Sequence, residues 1–422
     1  MKKFLALALI LCLVFALVPM TSAETGSVYW LNFKPESDED LQKVAKLYTE
    51  KTGVPVNVVT AASGTYSQTL TAEMDKSTPP TLFIVGNQAG ANTWSEYCLD
   101  LAGTKIANEL NTDAYNIYDA DGKLCSIGYC YECYGIIVNV DLLEKAGHKL
   151  DEIKNFETLK AVVEDIHARA AELGFDAFTS SDMDGSSSWR FTGHMINLDY
   201  FYEEKKAGQT WTECPATITG EFVPNFKNLY DLAINNSEFD PASFAAGGHS
   251  AEGEFIDNKA VFFVNGSWEY PAVSPNKNVA MIPYYCGVEG EEMAGLNCGT
   301  ENCWAINAKA KQADIDATMD FLYWCVTDAE ASRILVDSFG VMPYKQAVAS
   351  TNGFLANANE YANKGCYVMD WATNYQPNVD AYRAAFVSAL NAYNADQTDA
   401  NWEQVRAAIV DGWAYQYTQQ NG

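Results

Sequence analysis

The sequence predicts an α/β protein built as two lobes, and three observations carry that expectation. A strand, an amphipathic helix and a second strand follow one another between Val28 and Val59, making a βαβ unit of about 30 residues. The same alternation starts again at Tyr134. The chain has 422 residues, more than a single hydrophobic core usually organises.

The elements follow in order. Met1, Lys2 and Lys3 precede an apolar run from Phe4 to Val18, and Pro19 leads to the small residues Thr21, Ser22 and Ala23. That pattern predicts a secretory signal peptide over 1–23, cleaved after Ala23, because the apolar run is shorter than the roughly 20 residues of a membrane span. Cys12 lies inside the run behind the bulky Ile10 and Leu11, so no lipid anchor is expected. The mature chain would start at Glu24 and work in the periplasm or the cell-surface space.

VYWLNF at 28–33 has the apolar character of a buried strand, and Leu41, Val44, Ala45, Leu47 and Tyr48 then share one helical face. Gly53 stops that helix and VPVNVV (54–59) returns to strand, which predicts a parallel sheet. A helix near 66–76 leads through Pro79 and Pro80 to the apolar TLFIVG (81–86). Asn87 and Gln88 follow at a strand's C-terminal end, where open α/β sheets present ligand contacts. The second series opens with YGIIVNVDLLEKAG (134–147) and continues through a helix near 156–173 and a polar loop at 179–188. Helices near 225–235 and 250–257 precede strands at 259–268, 279–285 and 303–308, and the last third is helical at 313–326, 379–394 and 402–415.

Charge and chemistry narrow the function classes. The net charge of −28 becomes about −30 without Lys2 and Lys3, spread along the chain. Such a field repels nucleic acid and anionic lipid and accepts neutral or cationic partners. Ten cysteines remain at 98, 125, 130, 133, 214, 286, 298, 303, 325 and 366. Export permits their oxidation, and disulfides or inert buried thiols account for them better than the zinc or redox reading of Cys130-x-x-Cys133 with Cys298 and Cys303. His148, His167, His194 and His249 show no metal-ligand spacing, and no nucleophile elbow, zinc helix or phosphate-cradling loop is present. No enzyme activity, cofactor or metal is therefore expected, a glycoside-active enzyme using carboxylates such as Glu132 and Glu269 being the least favoured reading.

The order of motifs resembles the extracellular solute-binding proteins of family 1, the maltose-binding type. LYTEKTGVPVNVV, PPTLFIVGN, GKLCSIGYCYECYGIIVNVDLLEKAG, EFIDNKAVFFVNGSWEY and FLYWCVTDAEASRILVDSFGVMPYKQA carry the resemblance over nearly the whole mature chain. It implies the type II periplasmic-binding-protein fold, in which two discontinuous lobes joined by a hinge close on a ligand. The lobes are assigned as 24–134 with 271–328 and as 135–270 with 329–422, and the family pattern places crossings near 132–137, 297–303 and 327–332. It also implies a monomer that hands a small polar solute to the permease of an ABC importer. The absent lipid-attachment cysteine departs from the family's usual pattern.

A sugar presents hydroxyl edges and apolar faces, so its site combines aromatic rings with hydrogen-bonding side chains in a cleft. Trp268 follows the strand in NGSW and is the first candidate, with Glu269 and Tyr270 behind it. By position in the motifs Glu132 matches the family's ligand-contacting acid, and Ser187 and Trp189 match a second-lobe ligand loop. Asn32, Lys34, Asn87, Gln88, Trp371 and Tyr382 complete the candidates, whereas Trp30 lies within its strand and reads as core. A sugar or oligosaccharide is the expected ligand. The alternatives are a polyamine or other cationic solute, which the acidic balance favours, and ferric iron, which needs clustered tyrosines.

Overall fold

The computed structural model describes residues 25–62, 64–185 and 187–421, so the signal segment expected at 1–23 lies outside the described residues. Two six-stranded sheets organise the chain. The first runs in the order β2 (Val56–Thr60), β1 (Val28–Asn32), β3 (Leu82–Ile84), β11 (Cys303–Ile306), β5 (Leu124–Gly128) and β4 (Ile117–Tyr118). The second runs β12 (Tyr367–Met369), β10 (Ala294–Gly299), β6 (Glu132–Asn139), β8 (Ala260–Gly266) and β7 (Asp176–Phe178), with β9 (Val279–Ile282) also paired to β6.

The opening βαβ unit forms as the apolar pattern requires. Helix Asp38–Thr52 begins with Asp38, Glu39 and Asp40 and ends at Gly53, whose φ of 77° closes the last turn through Gly53 N to Thr49 O at 2.8 Å. β1 then pairs in parallel with β2 and β3, Trp30 standing opposite both Val58 and Leu82. The sheet as a whole is mixed, not parallel throughout: β11 returns from the second lobe and pairs antiparallel with both β3 and β5. Trp30, fully buried, meets Trp304 edge-on at 5.9 Å, and Tyr129 stacks on the far face of that contact at 4.7 Å from Trp304.

In the second lobe every residue of β6 and β8 is buried, because helices cover both faces of their sheet. Helices Phe156–Ala168, Val223–Asn235, Val379–Ala395 and Asp399–Asn421 supply one core. Helix Gly353–Asn363 places Phe354 and Leu355 in another, against Ile137 and Phe263.

Three segments change sheet. The first joins β5 to β6 across 129–131 and the second joins β10 to β11 across 300–302. They run side by side, with Tyr129 N donating to Asn302 O at 2.9 Å. The boundary assigned at 270/271 is therefore corrected: β9 and β10 are hydrogen-bonded to β6 and belong to the second lobe. The boundary assigned at 328/329 also moves. Helix Ala329–Phe339 buries Ala331, Leu335, Val336 and Phe339 in the first-lobe core, and the chain leaves that lobe only between Tyr344 and Phe354. Asp328 reads as a boundary in the sequence because it caps that helix, its carboxylate accepting from Glu330 N and Ala331 N, and a helix start looks the same whichever lobe receives it.

One buried polar knot ties the lobes together at these crossings. Lys34, just past β1, donates from Nζ to Glu132 Oε1 at 2.8 Å and pairs with Glu36 at 2.9 Å. Glu132 opens β6 and also accepts from Asn302 Nδ2 at 2.7 Å. Burial disfavours the Lys34 ammonium, but Glu132 and Glu36 outweigh it and hold its pKa well above the usual lysine value. Breaking such a pair from one side strands a buried charge, at about 3–5 kcal/mol. Lys34→Met is expected to destabilise the protein by that amount in urea unfolding, and Lys34→Met with Glu132→Met to recover most of the loss. A double variant as unstable as the single one would show that the two charges are not coupled.

Candidate functional site

The two lobes touch at the cleft mouth. Gly64, in the loop after β2, lies so close to the loop after β7 that a Cβ on it would stand 2.5 Å from Gly185 O. Behind this contact the ends of β1 and β8 face each other, and Lys34 Nζ lies 5.7 Å from the ring centre of Trp268.

Two glycines make room for the aromatic wall of the cleft. Gly266, opposite Tyr134 in the ladder, lies directly under the Trp268 indole, where a Cβ would come within 2.1 Å of the ring. Gly299, opposite Glu132, does the same for Trp371, at 2.7 Å from its Cγ. Both rings can therefore lie flat on backbone. Tyr134 stacks on His194 at 4.2 Å and meets Trp371 at 5.0 Å, while His194 lies 5.2 Å from Trp268 and 5.0 Å from Trp189. Trp189 closes the group 6.0 Å from Trp268.

A π-helical turn over Arg190–Met195 supplies the second-lobe side. Such turns are rare and frequent at functional sites. It follows Trp189 directly and carries both Arg190 and His194. Gly193 within it admits the Arg383 guanidinium, whose Cζ would be 2.9 Å from an added Cβ and whose Nε donates to Gln376 Oε1 at 2.7 Å. Burial, with Arg383, Arg190 and Lys34 nearby, holds the His194 pKa well below its usual value, so the ring is neutral at pH 7. Around these rings, Tyr134 Oη, Tyr284 Oη, His194 Nδ1, Trp371 Nε1 and Arg190 Nε are buried without a hydrogen-bond partner among the described residues. Native interiors rarely leave such atoms unpaired, and five in one cluster make this the candidate site.

Beside Trp268 a cavity of about 320 Å³ spans the lobes, with Glu36 and Asp40 on one side and Glu252 and Glu269 on the other. Glu269 accepts from Asn265 Nδ2 at 2.8 Å, and burial together with the nearby Glu252 raises its pKa to about 7.

The other expected residues have different work. Glu132 is consumed by Lys34 and Asn302, and Asn32 shapes the loop by bonding Lys34 N, Lys34 O and Thr60 Oγ1. Asn87 caps helix Gln88–Trp94 through Gly90 N at 2.7 Å, and Gln88 donates to Tyr118 O at 2.8 Å. Ser187 contributes a main-chain oxygen to the turn that starts the π-helix. Tyr270 packs on Phe354 and over Gly353, in the second-lobe cluster. Tyr382 is fully buried and bonded to Tyr200 Oη at 2.9 Å and Ile409 O at 3.0 Å, which removes it from the site. The ten cysteines are free thiols; Cys133 and Cys298 stand opposite each other in the β6–β10 ladder, while Cys130 is buried in the first-lobe core. Tyr134, Arg190, His194 and Glu36 are candidate site residues that sequence reasoning missed.

Glu269 sets a pH dependence. Its carboxyl holds a proton in the folded state that an unfolded chain releases above about pH 4.5, so its stabilising share is complete below that value and is lost as pH rises through about 7. The melting temperature of Glu269→Gln should fall less between pH 5 and pH 8 than that of the wild type. Parallel curves would place the titration elsewhere.

Comparison with known proteins follows the same lines. A family model for bacterial extracellular solute-binding proteins matches residues 43–362, and a search of curated protein sequences finds no match. Among solved structures the chain is similar to RafE in complex with raffinose, with a TM-score of 0.71 and 18% identity over 94% of this chain and 100% of that one. It is also similar to the GacH receptor of Streptomyces glaucescens, with a TM-score of 0.65 and 16% identity over 94% and 98%. A family 1 extracellular solute-binding protein from Bifidobacterium longum subsp. infantis gives a TM-score of 0.62 and 18% identity over 93% and 99%. The fold is that of the type II periplasmic binding proteins, and no helix among the described residues is long and apolar enough to cross a membrane. With two discontinuous lobes, a three-segment hinge and a family match over most of its length, the chain belongs to the bacterial extracellular solute-binding proteins.

Proposed function

We propose that this protein captures a sugar or oligosaccharide between its lobes and presents it, chemically unchanged, to the permease of an ABC importer. The observation that carries the reading is the convergence, at one interlobe cleft, of half-buried tryptophan rings with buried polar atoms that lack partners. Rings cover the apolar faces of a sugar, and the polar atoms satisfy its hydroxyls. Similar structures include proteins in complex with raffinose and with stachyose and a chitin oligosaccharide binding protein, which supports the same ligand class here. Binding without turnover is supported by the family and by Glu132, whose two oxygens are engaged by Lys34 and Asn302.

The ligands we assign to the cleft, in order, are Trp268, Trp189, His194, Trp371 and Glu269, with Lys34 reaching from the first lobe. A thermal-shift screen of the mature protein against raffinose, stachyose, chitin oligosaccharides, galactose, spermidine and ferric citrate tests the class. At least one sugar should raise the melting temperature. A shift with spermidine or iron and none with sugars would overturn it. Trp268→Ala should weaken the sugar found by at least tenfold in calorimetry, since about 60 Å² of ring face at ~25 cal/mol per Å² contributes about 1.5 kcal/mol. The melting point of the unliganded variant should stay close to that of the wild type; its collapse would mark Trp268 as core.

A further inference from the structure

Arg190 is a buried cation with unused donors. It is 7% exposed, and its guanidinium lies 4.5 Å from the ring centre of Trp189 and 5.4 Å from that of Phe263. Nη1 makes one long bond, 3.4 Å to Ser187 O, and Nε has no partner among the described residues. A guanidinium carries five N–H donors in a rigid fork. A buried donor left unmade forfeits its hydration without replacement, so a fold that gained only packing from this position would do better with an apolar side chain. The neighbouring cations are different: Lys34 is held by two carboxylates, and Arg383 donates to Gln376.

The local backbone is shaped around this side chain. The π-helical turn starts at Arg190 and brings His194 back to the edge of Trp189, the same ring the guanidinium covers. Trp189 in turn meets Trp268, so the fork stands one ring away from the wall of the cleft. Burial disfavours the ionised guanidinium and the charges of Glu269, Glu252 and Asp184 favour it, but no ion pair joins Glu269 or Glu252 to it among the described residues. Glu36 and Asp40 face those two carboxylates across the cavity. The cleft therefore holds donors for neutral oxygens inside a negative surround.

We propose that Arg190 contacts the ligand, donating its unused N–H groups to hydroxyl or ring oxygens of a sugar seated against Trp189 and Trp268, and that the surrounding carboxylates restrict the site to uncharged sugars over uronates. This inference rests on the sugar-binding reading above. The chemistry is that of a planar fork meeting two oxygens on one sugar ring. A carboxylate on the ligand would satisfy the same fork but would stand among Glu269, Glu252, Glu36 and Asp40, where like charges repel.

Isothermal titration calorimetry on the mature chain at pH 8, above the Glu269 pKa of about 7, tests both parts, with raffinose, stachyose, chitin oligosaccharides and galactose as neutral probes and galacturonate and its oligomers as acidic ones. For whichever neutral sugar the wild type binds, Arg190→Gln should weaken affinity on the order of tenfold to a hundredfold, the range of a hydrogen bond to a charged donor. Arg190→Lys keeps the charge and the stem but loses the fork, and should fall between the two. Its unliganded melting temperature, compared with the wild type, separates lost contact from lost folding. Affinity of either variant within twofold of the wild type would overturn the contact. Galacturonates binding more tightly than the neutral sugars would overturn the charge selection. If the wild type binds no sugar at all, the failure lies in the sugar-binding reading, and it is visible before any variant is made.

Discussion

The Lys34–Glu132–Asn302 knot is the constraint on which the rest of the structure depends. Its three members come from the end of β1, the start of β6 and the second crossing, so one set of hydrogen bonds joins the first lobe to the strand that leaves it and to the segment that returns. Two ions are taken out of water there, and their mutual attraction, the Glu36 carboxylate and the Asn302 amide compensate. The pair therefore demands a fixed geometry. That geometry sets where β6 begins, which in turn sets the ladder positions of Gly266 and Gly299 opposite Tyr134 and Glu132.

From that register the cleft wall follows. Trp268 and Trp371 lie over glycines whose missing side chains admit an indole, and Tyr134 lies between them with His194 stacked upon it. Aromatic side chains are large and lose little rotamer freedom when ordered, so a wall made of them is rigid before a ligand arrives. The polar side of the cleft is assembled differently. It comes from the π-helical turn and from acidic residues of both lobes, and it keeps donors and acceptors that the protein itself does not satisfy. The two sides face each other across the lobes, with the loops at Gly64 and Gly185 in contact and Lys34 Nζ 5.7 Å from the Trp268 ring centre.

Much of the fold was legible in the sequence. Buried strands such as VYWLN and AVFFVNG are short, apolar and bounded by turn residues, and the helices carry clear apolar faces; these are local signals. The strands β4, β5, β7, β10 and β12 escape the sequence reading, because LCSIG and AGLNCG mix small and polar residues with apolar ones and the other three are two or three residues long with no longer apolar run around them. The candidate site was read from the sequence where a motif marks a strand end, as at Trp268, a ring the structure sets beside the interlobe cavity. It was misread where a residue that could bind ligand also had a local use: Asn87 caps a helix, Asn32 shapes a turn and Tyr382 packs in a core. Arg190 offered one signal, an arginine between Trp189 and Phe191, whose apolar neighbours suggest burial without saying against what.

By itself the sequence determined the class of the fold, the two-lobed plan and the family, because strand and helix periodicity and the order of motifs are properties of contiguous residues. Only the tertiary structure decided which lobe receives 271–299 and 329–339, which carboxylate is spent in the hinge, and which side chains are left with unmade hydrogen bonds. Those are contacts between residues far apart in the chain. Burial and pairing at such contacts depend on three-dimensional distance, and sequence spacing does not encode it.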